Sequence, residues 1–109
     1  MIFTSRIIGN AEAQQLVVLP ANTVDKLHAL ALERTPTCVL VDLTFPGLDI
    51  ESVMGRLRGD RSPMPKVIAF GPHVEAAQLR AARAAGCTEV YPRSKFNELL
   101  PTAIVRWLE

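Results

Sequence analysis

Asp42 closes the apolar run Cys38-Val39-Leu40-Val41. A carboxylate at the end of a buried strand can act as a nucleophile, ligate a cation, or fasten the loop that follows it. Asp49 precedes Ile50, Val53, Met54 and Leu57 at helical spacing and is expected to cap a helix rather than hold a ligand. His73 follows the run KVIAF and the pair Gly71-Pro72. Its imidazole titrates near neutrality, but no carboxylate or nucleophile stands at a spacing that would make it a general acid or base. The stretch Pro92-Arg93-Ser94-Lys95 adds two cations and a hydroxyl. Cys38 and Cys87, the two cysteines, are too few for a metal box and are expected to be small buried hydrophobes. The six glycines never cluster, so no phosphate-cradling loop and no cofactor are expected.

These residues need elements to position them. Residues 16–19 (LVVL), 38–41 (CVLV), 66–70 (KVIAF) and 88–91 (TEVY) read as short strands, each bounded by turn residues. Thr23 is expected to cap a helix to about Arg34, with Val24, Leu27, Leu30 and Ala31 on its inner face. Asp49 opens the next helix, from Ile50 to about Leu57. An alanine-rich helix over 74–85 should stop at Gly86, and a last helix runs from about Asn97 to Leu108 with Pro101 in its first turn. Apolar strands alternating with helices imply a parallel sheet covered on both faces: an α/β, doubly wound, flavodoxin-like three-layer sandwich. The functional edge of such a sheet lies at the C-terminal ends of its strands, where Asp42, Gly71, His73, Ser94 and Lys95 fall.

A chain of 109 residues is expected to form a single domain over 1–109. Its 12 basic and 11 acidic side chains give a net charge of +1, a poor match to nucleic acid or an anionic membrane. No apolar run approaches membrane-spanning length, and MIFTSRIIGN lacks the pattern of a signal peptide. A cytoplasmic location is expected.

The segment CVLVDLTFPGLD, residues 38–49, resembles the third strand and following loop of response-regulator receiver domains, with Asp42 at the phosphoacceptor position and Pro46, Gly47 and Asp49 in register. AAGCTEVYPRSKF, residues 84–96, resembles the fifth strand and the Lys-Pro-Phe corner of the same family. The similarity runs over about residues 36–108. It implies a phosphoacceptor site built on Mg²⁺, which neutralises charge on the transferring phosphoryl group and demands several oxygen ligands. The family supplies those from an acidic pair at the end of its first strand. Here the only acid before Asp25 is Glu12. The family's Ser/Thr after the fourth strand falls at Phe70-Gly71, its Lys falls at Ser94, and its Pro falls at Lys95. Asp42 alone remains of the chemical positions, with Gly71, His73, Ser94 and Lys95 as its rim.

Two readings of residues 1–15 stay open. Met1–Thr4 can form a tight first strand, or Thr4 can cap a helix over 5–15 that leaves the first strand missing or abbreviated. The chemistry points to a pseudo-receiver: a non-catalytic signalling module with no metal, acting through a protein partner and expected to form a homo-oligomer. The alternative is a working receiver phosphorylated on Asp42, with Arg93 or Lys95 replacing the usual Lys. Receivers commonly use the fourth helix, fifth strand and fifth helix as a partner surface, which nominates Arg80, Arg83, Tyr91 and Arg93 here. Phe96 and Trp107 could serve there as anchors or lie in the core. Arg56, Arg58 and Arg61 read as a solvated helix end.

Overall fold

The computed structural model describes residues 9, 21, 23–34, 37–44, 48–58 and 65–108. The expectations for the strand at 16–19, for the two N-terminal alternatives and for Arg61 fall outside these residues. In chain order the elements are α1 (Val24–Arg34), β1 (Cys38–Asp42), α2 (Ile50–Arg58), β2 (Lys66–Gly71), α3 (Ala76–Ala84), β3 (Glu89–Pro92) and α4 (Arg93–Trp107).

The three strands lie in the order β1-β2-β3 and all run parallel. Val39 stands opposite Val67 and Asp42 opposite Phe70, while Gly71 stands opposite Pro92. Side chains alternate across a strand, so β2 feeds two cores. Val67 and Ala69 join Val39, Val41, Val53, Met54, Leu57, Leu79 and Ala82 on the face covered by α2 and α3. Ile68 and Phe70 join Phe96, Leu100, Ala103, Ile104 and Trp107 on the face covered by α4. Helices therefore flank the sheet on both sides, as the apolar strands require. The fold is the flavodoxin-like α/β arrangement.

The helix starts follow local chemistry. Thr23 Oγ1 accepts a hydrogen bond from the Lys26 amide at 3.0 Å, and Asp49 Oδ1 accepts one from the Glu51 amide at 3.1 Å. Each satisfies an amide that the first helical turn leaves orphaned. An ion pair between Asp25 and Arg56, 2.6 Å long and on the surface, links α1 to α2. The Arg56 guanidinium holds the Asp25 carboxyl below the usual carboxylate range. Arg58 is exposed, as expected of a solvated helix end, and from the surface donates to the Ala85 carbonyl at 2.8 Å.

Gly86 ends α3 in the left-handed region at φ +97°. The Gly86 amide donates to the Arg83 carbonyl at 3.1 Å and the Cys87 amide to the Ala82 carbonyl at 3.2 Å, which closes a Schellman turn. A Cβ at Gly86 would sit 2.9 Å from Arg58 Nη2. Gly86→Ala is therefore expected to cost about 1–2 kcal/mol, from the positive φ together with displacement of Arg58. Urea unfolding checks this, and an unchanged midpoint would contradict it.

Two sequence expectations are corrected. β1 is not buried on both faces: Cys38, Leu40 and Asp42 are half-buried while Val39 and Val41 are buried. Its apolar composition hides an alternation, because the α4 layer covers that side only in part. The last helix starts at Arg93 rather than near Asn97, so Pro101 lies in the middle of a fifteen-residue helix and not in its first turn. The cause is the buried stripe Phe96, Leu100, Ala103, Ile104 and Trp107, whose helical spacing draws the polar residues 93–95 into the first turn. Pro92, with extended ψ of 147°, ends β3 and precedes the helix.

Candidate functional site

Arg93 lies three residues before Phe96 and so continues the inner stripe of α4 toward the C-terminal edge of the sheet. Asp42, the last residue of β1, reaches the same edge. The two meet there. Arg93 Nη2 donates to Asp42 Oδ1 at 3.0 Å and to Thr44 Oγ1 at 3.1 Å. The Thr44 hydroxyl donates to Asp42 Oδ1 at 2.7 Å, and the Thr44 amide donates to the same oxygen at 2.9 Å. Three donors thus converge on one carboxylate oxygen. The Thr44 contacts form a turn of the Asx type. The side chains of Arg93 and Asp42 are 34% and 23% exposed, so the pair is partly shielded from water.

Of the residues foreseen around Asp42, the structure brings only Arg93 into contact with it. Lys95 pairs along its own helix with Glu98 at 3.8 Å. Ser94 is exposed in the first turn of α4, and His73 is exposed on the turn between β2 and α3. That turn is closed by the Glu75 amide donating to the Pro72 carbonyl at 3.0 Å. Gly71 is buried under Leu43: a Cβ there would lie 3.4 Å from Leu43 Cβ. Thr44 went unnoticed in the sequence, although an Asp-x-Thr spacing after a strand is the signal for such a turn.

The nominated partner surface divides. Arg93 points to Asp42 and keeps about a third of its side chain exposed. Arg80 is exposed, and Arg83 reaches the Val90 carbonyl at 3.5 Å. Tyr91 is half-buried; its hydroxyl donates to Glu89, and its ring centroid lies 6.4 Å from that of Trp107. Burial and then the Glu89 carboxylate push the Tyr91 phenol upward. Phe96 and Trp107 belong to the core.

The donors gathered on Asp42 bear on any metal. Mg²⁺ needs an array of oxygen ligands, whereas Asp42 Oδ1 is met by a guanidinium, an amide and a hydroxyl. No group of three or more His, Cys, Asp or Glu side chains able to hold a metal occurs among the described residues. In this arrangement the described residues do not fit the divalent ion that the receiver resemblance implies. Among the same residues, no helix is long and apolar enough to cross a membrane.

No protein-family model matches the chain, and no curated protein matches it. Solved structures do. A response regulator signal receiver domain from Bermanella marisrubri superposes with a TM-score of 0.83 at 19% identity, covering 99% of this chain and 90% of that one. The receiver domain of NtrX from Brucella abortus superposes with a TM-score of 0.77 at 18% identity, covering 94% of this chain and 86% of that one. At such identities the likeness speaks for the fold. The chain has the fold of a response-regulator receiver domain.

Proposed function

We propose that the chain is a non-catalytic, receiver-like signalling module that works by protein–protein contact, a second copy of itself included, and not by Mg²⁺-dependent phosphoryl transfer. The observation that carries this reading is the engagement of Asp42 by Arg93. A guanidinium beside the carboxylate neutralises it, and a divalent cation approaching the same oxygen would meet both repulsion and occupied lone pairs. Phosphoryl transfer needs the opposite, a pocket whose oxygen ligands hold Mg²⁺ so that the ion can neutralise the charge on the transferring phosphoryl group.

A second reading is favoured by the same contact seen differently. Arg93 stands one residue from the position where the resemblance puts a phosphate-binding Lys, so it could hold a phosphoryl group on Asp42. Incubation with a small acyl-phosphate donor and Mg²⁺, followed by intact mass measurement, separates the two. Our reading expects no adduct. A phosphoryl adduct mapped to Asp42, and lost in Arg93→Ala, would establish the second reading instead.

A further inference from the structure

We infer that the outer face of the α2–α3 layer is the contact surface for a second copy of this chain, with a two-fold axis passing close to Gly55. The inference rests on the reading of the chain as a protein-contact module and names the surface that would make the contact. It does not depend on the chemistry of Asp42.

The surface is set by α2. Glu51, Gly55 and Arg58 stand at i, i+4 and i+7, so they form one row along the helix, and all three are exposed. The row presents an acid, a gap and a base. The helix dipole favours an acid in the first turn and a base in the last, but it does not ask that they share one face. Nor are the two charges used within the chain: among the described residues no ion pair includes Glu51 or Arg58. The Ala85 carbonyl accepts one N–H of the Arg58 guanidinium at 2.8 Å, which holds the side chain against α3 without matching its charge. At Gly55 an added Cβ would meet nothing within 4 Å.

Such a row complements its own antiparallel image. Glu51 and Arg58 are about 10 Å apart along the helix axis, with Gly55 near the midpoint. A two-fold axis there brings Glu51 of each copy to Arg58 of the other. One patch thus makes two ion pairs, the self-complementarity that an isologous contact requires and that a different partner would not. With no side chain at Gly55, the two helices can approach closely. The same axis lays α3 over α3. Asp49 and Ile50 lie beside Gln78 and Ala81, and Arg58 lies beside Ala85, so the midpoint of the row is level with Ala81 and Ala84. Both alanines are exposed and add a low apolar surface beside the charged row. Arg83 lies on the other flank of α3, where it reaches the Val90 carbonyl.

Sedimentation equilibrium at low ionic strength tests this. The full chain is expected to dimerise. Glu51→Arg alone and Arg58→Glu alone are each expected to weaken the dimer by at least about tenfold, because each reversal opposes like charges at both symmetric contacts. An equimolar mixture of the two variants is expected to regain the dimer, since every contact in the mixed pair again joins opposite charges. Should a reversal fail to fold, Gly55→Gln keeps the test. It puts a good helix former in open space, and is expected to raise the urea midpoint of the monomer while abolishing the dimer. A full chain that stays monomeric at millimolar concentration, a dimer that survives the reversals or Gly55→Gln, or a mixture that stays monomeric would each overturn the inference. The reading of the Asp42 site falls on a different result, a phosphoryl adduct at Asp42.

Discussion

Phe96→Ala is expected to lower the free energy of unfolding by about 3–5 kcal/mol, read as a fall in the urea midpoint at constant slope. The side chain is fully buried, and its ring lies between Phe70 of the central strand and Trp107 at the far end of α4. Removing it takes away the transfer energy of a large aromatic group and leaves a cavity. Two stacking partners on separate elements restrict how far the surroundings can close on that cavity. Phe96→Leu, which retains most of the volume, should recover more than half of the loss. A loss below about 1 kcal/mol for the alanine variant would mean that α4 is not the cover of this face, and the layer order described above would fail with it.

The fold was largely legible because its punctuation is local. Gly86 ends α3 since only a residue without Cβ turns left-handed there at no steric cost, and Thr23 and Asp49 cap helices by short-range bonds. Asp42 likewise announces the end of β1 by being charged after four apolar residues. What escaped depends on neighbours distant in sequence. Pro92-Arg93-Ser94-Lys95 reads as a loop by composition, and only the packing of Phe96 against Phe70 makes it the start of a helix. Arg93 looked like a surface cation for the same reason. Its pairing with Asp42 spans 51 positions of sequence and follows from the parallel order of β1, β2 and β3, which brings their C-terminal ends to one edge. The half-exposure of β1 is a property of the layer above it and leaves no trace in CVLV itself.

Cys38 should react with a thiol-specific alkylating reagent at pH 8 on the order of 100-fold more slowly than an unhindered thiol. Burial at the start of β1 pushes its thiol up from 9.0 to about 11; the nearby Lys66 ammonium opposes the shift and the Glu89 carboxylate adds to it. Only the thiolate attacks, so the rate should rise about tenfold per pH unit and level off near pH 11. Burial also raises Cys87, whose Sγ lies 3.8 Å from Met54 Sδ. The consequence for stability has a definite sign. Folding favours the neutral thiol, so the contribution of Cys38 is complete below pH 9.0 and fades as pH climbs toward about 11. In strong denaturant both cysteines should react at the ordinary rate, which isolates burial as the cause. Fast alkylation of Cys38 at pH 8 in the folded protein would show that the half-buried N-terminal end of β1 does not shield its thiol, and burial would fail as the cause of the slow reaction.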